Sequence, residues 1–306
     1  MTPSLRNLSL PKLSLLKLAL LKLALLATLS LALGAPATCQ RDAGQKQDPG
    51  QQKVEKLSEW PDLKKAENDR VRAIAKQFRK KQEKLREAAV KKLVKIGAGA
   101  APVLIPLVND KADNANESVF AVLEQVTDRR HTALLARETQ RKSVEWRRWL
   151  MRRLAGMHDG DLKPVLKATL KDKDQDIAFY AALGMLALGE PDGLDTVIGV
   201  AKRRWAEHKD LLAATLAPAR SAKTAMKVWE RIGQARPTDQ MAGLRLLRHL
   251  MVKEQKMLLR SYLESPDFAV KREAINTARV LHGEKPLEKL SSFQAINLAK
   301  QWLDKL

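Results

Sequence analysis

The sequence predicts an all-α protein, a right-handed α-solenoid of about six to seven helix pairs, and three observations lead to that expectation. From Leu63 onward, apolar residues recur at helical spacing and the pattern is broken only by Gly, Pro, Asn and Asp. No run of alternating β-branched residues occurs that would read as a strand. Helix stops also recur: Gly97, Gly189 and Gly283 each close an aliphatic run and precede a new one, at separations of 92 and 94 residues, and both divide into three units of about 31.

Taken in chain order, the first segment is of a different material. Residues 1 to 22 carry Arg6, Lys12, Lys17 and Lys22 with no acid, Leu23 to Ala35 is uncharged, and Gly34-Ala35-Pro36-Ala37 closes the stretch with small residues. A basic start, a short apolar middle and an Ala-x-Ala end are the parts of a secretory signal peptide, so residues 1–37 are expected to be removed and the mature chain to be exported to the periplasm, cell envelope or extracellular space. Read instead as an uncleaved anchor from Leu13 to Leu33, the segment places Lys17 and Lys22 in hydrocarbon, which is costly. Cys39 raises lipidation, but Pro36-Ala37-Thr38 departs from the Leu and small residues that precede a lipidated cysteine. A membrane partner follows only from an uncleaved leader or a lipidated Cys39. Residues 38–62 are rich in Gln, Asp, Lys, Gly and Pro, with hardly an aliphatic side chain before Leu57, and are expected to be a disordered linker.

The folded domain is expected over residues 63–306. The charged 63–84 segment reads as a terminal cap. A helix then runs to Gly97, and Ala100-Ala101-Pro102 opens the next. Intermediate stops at the same period fall near Thr127, at Gly156, and near Pro218 and Val252. The 143–156 stretch puts Trp146, Trp149, Leu150 and Arg153 on one side. Met185 to Gly189 leads into Pro191, and the helix that ends at Gly283 leads into Pro286. The last helix, Phe293 to Leu306 with Trp302, reads as the second cap. A two-helix unit of this size cannot bury its apolar face alone, so neighbouring units must stack, and alanines such as Ala88, Ala89, Ala181, Ala182 and Ala274 let helix axes approach.

Two copies of the unit match closely. Leu170, Asp174, Ile177 and Ala181 share every spacing with Leu263, Asp267, Val270 and Ala274, and the later copy continues with Lys271-Arg272. On these residues the chain resembles HEAT-repeat proteins, over roughly residues 64 to 306 and most clearly at 86–108, 162–201 and 257–290. The resemblance implies that Asp267 caps the second helix of its pair, that Val270 and Ala274 face the inner core, and that Lys271 or Arg272 stands at the family's Arg position. It also implies a scaffold that presents helices to a protein partner. Ala178 stands where the family has Arg, so an Asp–Arg ladder between repeats is expected to break there.

Chemistry-bearing patterns are few. Gly97-Ala98-Gly99 lies between helices and lacks the Lys-Ser/Thr of a phosphate loop. The five histidines form no metal-binding spacing, no Gly-x-Ser-x-Gly elbow occurs, and one cysteine excludes an internal disulfide framework. Asp172, Asp174 and Asp176 cluster in a turn, where capping is their expected role. The expectation is therefore a mostly monomeric, non-enzymatic protein with no catalytic, cofactor or metal site.

Charge is the remaining signal. The chain carries 56 Lys+Arg against 35 Asp+Glu, a formal +21, which becomes +17 without residues 1–37. Basic residues recur in or beside successive repeats, and Arg148, Arg152, Arg203, Arg204, Lys271 and Arg272 are the candidate partner-binding set. A stripe of these residues suits an acidic protein partner or, alternatively, a polyanion such as nucleic acid, acidic polysaccharide or an anionic lipid surface. Trp146, Trp149 and Trp205 beside arginines fit either a stacking groove or an ordinary core. Because surface ion pairs are worth only about 0 to 1 kcal/mol each, reversing Arg148 and Arg152 to Glu is expected to leave melting almost unchanged while abolishing binding if these residues form the groove.

Overall fold

The computed structural model describes residues 54–306; the leader at 1–37 and Cys39 lie outside the described residues. Among the described residues there is no strand, and 15 α-helices alternate short and long. They are α1 (Lys65–Ala75), α2 (Glu83–Ile96), α3 (Ala101–Leu104), α4 (Asp113–Val126), α5 (Thr132–Ala136), α6 (Val144–Ala155), α7 (Lys163–Thr169) and α8 (Gln175–Ala187). The order continues with α9 (Leu194–Arg203), α10 (Trp205–Leu216), α11 (Ala222–Ile232), α12 (Pro237–Leu250), α13 (Arg260–Leu263), α14 (Phe268–Leu281) and α15 (Ser292–Lys305). The seven even-numbered helices begin at residues 83, 113, 144, 175, 205, 237 and 268, so the period read from three glycines runs through the domain at 30 to 32 residues. No described helix is long and apolar enough to cross a membrane.

The local causes are those the sequence offers. Gly97, Gly189 and Gly283 stand at φ +84°, +76° and +84°, a left-handed conformation that glycine adopts without Cβ strain, and each ends a helix. Asp174 and Asp267 cap α8 and α14: Asp174 accepts from the amides of Asp176 and Ile177 at 3.1 Å, and Asp267 from those of Ala269 and Val270 at 2.9 and 3.0 Å. Behind these caps Ile177, Ala181, Val270 and Ala274 are fully buried, so the two matching copies place equivalent residues in equivalent environments.

Packing is serial. Each long helix packs on its own short partner and on elements of the neighbouring pair. Two groups of buried side chains meet at α8: Ile177, Ala181 and Met185 join the group that begins at Val71, and Phe179, Ala182, Leu183 and Leu186 join the group that ends at Trp302. An α8 apolar on every side is what a helix with neighbours on both flanks requires. Small residues allow the closest approaches. A Cβ on Gly243 would lie 2.5 Å from the Ile232 side chain, so α11 and α12 touch at a distance only glycine permits.

Regular spacing does not give regular packing. Strongly amphipathic α9, with Leu194, Val197, Ile198, Val200 and Ala201 buried, packs between α8 and α12. Helix α10 buries only His208, Leu212, Thr215 and Leu216 and is held less closely by its neighbours.

The stretch expected to be linker up to residue 62 differs in its last part. Residues 54–63 lie along the domain and cross the beginnings of α7, α5 and α3 in that order. Lys56 donates to the buried Asp159 carboxylate at 2.8 Å and also pairs with Asp161. The Leu57 amide donates to Arg130 O at 2.9 Å, Trp60 stacks on His131 at 5.4 Å, and Pro61 and Leu63 cover Gly99. Leu57, Trp60 and Leu63, spaced by three, supply apolar contact that the polar composition of the rest of the stretch conceals.

Candidate functional site

A cavity of about 610 Å³ opens between α6, α8 and α10. Arg152, Arg153 and Gly156 from the end of α6 form one wall together with Glu124 of α4, Tyr180 of α8 forms the base, and Glu207, His208, Leu211, Ala214 and Thr215 of α10 form the other wall. Helix α10 is fixed over the cavity by the loop after α6, where His158 Nε2 meets Thr215 O at 2.7 Å. His158 adopts φ +50° to reach it, the one non-glycine residue in that region among those described. Tyr180 of α8 stays half-buried beneath α10.

The groove is charge-balanced rather than basic. Arg152 pairs with Glu124 at 2.6 Å, and Arg153 spends its guanidinium on the carbonyls of Glu124 and Thr127. Burial pushes the Arg153 value down. Glu207 is held by Arg204 at 2.6 Å, which keeps its carboxyl below the usual range. His208 is 5% exposed and packs on Phe179 with centroids 4.8 Å apart; burial lowers its pKa, so it is neutral near pH 7. Its Nε2 has no hydrogen-bond partner among the described residues, and Glu207 Oε1, 3.4 Å away, lies outside hydrogen-bonding geometry. A neutral aromatic and aliphatic base rimmed by matched charges suits a peptide side chain with an apolar body and a polar tip.

The six sequence-predicted residues are not brought together. Arg152 lines the groove. Arg148 bonds the Asp174 cap of α8 at 2.6 Å and Glu145 at 2.9 Å. Arg204 bonds Asp176 and Glu207, both at 2.6 Å. Arg272 lies 3.6 Å from Glu273. Arg203 is exposed and Lys271 half-buried, and neither forms an ion pair among the described residues. The tryptophans beside them are interior. Trp146 is fully buried and Trp149 is 4% exposed, while Trp205 lies under the guanidiniums of Arg245 and Arg248 at 5.1 and 5.6 Å. Tyr180, His208 and Leu211 were not legible as site residues, because they come together only where α10 packs on α8.

The expected Asp–Arg ladder is made in another way. Position 178 is Ala, but Arg148 reaches Asp174 from the preceding pair, so reversing Arg148 to Glu would set three carboxylates together and lower the melting temperature, contrary to the solvated-charge expectation. The Arg148 guanidinium holds the Asp174 carboxyl below its ordinary 3.8, and Arg130 holds Asp128 down to about 2. A depressed carboxyl stabilises the fold fully above its unfolded value, and that contribution is lost as pH falls through the folded one. Asp174→Asn is therefore expected to melt lower than wild type at pH 7, with the difference narrowing in melts recorded below pH 4.

No family model matches this chain, and no curated protein matches it.

Proposed function

We propose that the chain is an exported, non-enzymatic scaffold of HEAT-like helix pairs, arranged as a right-handed α-solenoid, that binds a protein partner through its helical groove. The observation that carries this reading is the cavity at α10. It lies where the sequence period continues and the packing departs from it, and half-buried Tyr180 and Leu211 line it beside a buried histidine nitrogen with no hydrogen-bond partner among the described residues. In a serial stack the surface formed by equivalent helices is the extended feature available to a ligand. A charge-balanced groove favours a partner recognised by shape and apolar contact over one recognised by net charge.

The experiment is capture from the protein's own envelope extract, with the mature chain as bait at low and high salt. A specific partner retained at high salt and lost with Tyr180→Ala/Leu211→Asp is the expected result. Retention by that double variant would place binding elsewhere. The alternative reading, electrostatic binding of an acidic polymer through Arg148, Arg152, Arg203, Arg204, Lys271 and Arg272, expects capture that disappears at high salt. Four of those six side chains already lie against carboxylates of the chain itself, which disfavours it at those positions.

A further inference from the structure

The surplus positive charge of the domain is concentrated at one end. Residues 54–306 hold 49 basic and 33 acidic side chains, a net +16, and residues 63–97 alone hold thirteen basic against four acidic, a net +9. Elsewhere arginines are repeatedly matched across helices, as Arg147 with Asp172, Arg148 with Asp174, and Arg245 and Arg248 with Glu273. Within 63–97 the one ion pair among the described residues is Arg72–Asp69 at 3.2 Å.

The fold turns this surplus outward. Helix α2 buries Ala89 and Leu93, and Lys84, Lys91 and Lys95 fall on the opposite side, a row about 16 Å long at the helical rise of about 1.5 Å per residue. Helix α1 buries Val71 and Ala75, with Lys65 and Arg72 exposed on its flank and Lys76 exposed just past its end. The turn between the helices presents Arg79, Lys80 and Lys81. It is braced from beneath by Arg86, whose guanidinium donates to the carbonyls of Lys80 and Lys81 at 2.9 Å each. All the cations named here are exposed except Arg86, which is half-buried.

We propose that this α1–α2 surface docks on an anionic lipid bilayer. The charge is spread over two helices and a turn and does not line the cavity between α6, α8 and α10, so it matches a broad sheet of phosphates better than a strand in a cleft. Nine of the thirteen cations are lysines, compact charges that attract phosphate without forked geometry. No aromatic ring is offered for base stacking, because Phe78 is 1% exposed. The surface is separate from the groove of the proposed partner, so the two readings stand or fall independently.

The test is co-sedimentation of the full chain with phosphatidylglycerol-containing vesicles and with purely zwitterionic ones, at low and high salt. The leader carries Arg6, Lys12, Lys17 and Lys22 and favours anionic lipid too, so the difference between wild type and a variant altered only in α2, with the leader unchanged, reports the basic surface. Binding to the anionic vesicles is expected to exceed binding to zwitterionic ones and to fall with salt. The triple reversal Lys84→Glu, Lys91→Glu, Lys95→Glu is expected to weaken it at least about 100-fold, with melting and partner capture unchanged. The same reversals at Lys285, Lys289 and Lys300, exposed near the other end, are expected to have a much smaller effect. Equal binding of the α2 triple reversal and wild type, or no preference for anionic lipid, would overturn the proposal. So would tighter binding of heparin or polyphosphate than of vesicles, which would assign the surface to a linear polyanion.

Discussion

Replacing Glu273 with Ala lowers unfolding free energy in urea by about 3–5 kcal/mol, as expected when one member of a buried ion cluster is removed and the others remain. Glu273 sits on α14 with its side chain 6% exposed and receives Arg245 at 3.1 Å and Arg248 at 2.6 Å, both from α12. Arg248 is 7% exposed, and burial already lowers its pKa, so it has no route to water once its partner is gone. Trp205 covers both guanidiniums, which completes their enclosure. The cost is that of two stranded cations rather than of a lost attraction. Glu273→Leu combined with Arg248→Met is therefore expected to be more stable than Glu273→Ala alone, and a double variant as unstable as the single would contradict this account.

Trp146→Ala is expected to cost a comparable amount, about 3–5 kcal/mol, because truncating a fully buried aromatic side chain leaves a cavity that a close-packed interior closes only in part. Trp146 has no exposed surface, packs on Trp149 with centroids 5.2 Å apart, and donates its indole N–H to Glu138 O at 2.9 Å. Denaturation of the variant measures the loss. A change below about 1 kcal/mol would mean that the ring lies at the surface, as a stacking groove would require.

What was legible in the sequence was what depends on neighbours within one repeat. The caps at Asp174 and Asp267 and the left-handed stops at Gly97, Gly189 and Gly283 are local devices with local signatures, and the helix starts follow the 31-residue period closely. What was not legible depends on residues one repeat away. Arg148 and Arg152 read as solvent charges because their partners, Asp174 and Glu124, lie 26 and 28 positions distant. The groove was hidden for a related reason. Its wall exists because weakly amphipathic α10 packs less closely on α8 and α12 than strongly amphipathic α9 does, and no spacing in the chain expresses that competition. The contacts of residues 54–62 were not legible because Leu57 and Trp60, in a polar stretch, suffice when a surface is waiting for them. The basic α1–α2 surface was visible in the sequence as composition, with its 63–84 part read as a terminal cap.

The central claim is that residues 54–306 are one serial stack of helix pairs, and small-angle X-ray scattering on the chain trimmed to those residues tests it most directly. A compact domain of that length has a radius of gyration of about 18 Å. The account predicts a value clearly above this, with a distance distribution skewed toward long separations as in a curved rod. A symmetric distribution with a radius near the compact value, or two separated maxima from two globular halves, would contradict it.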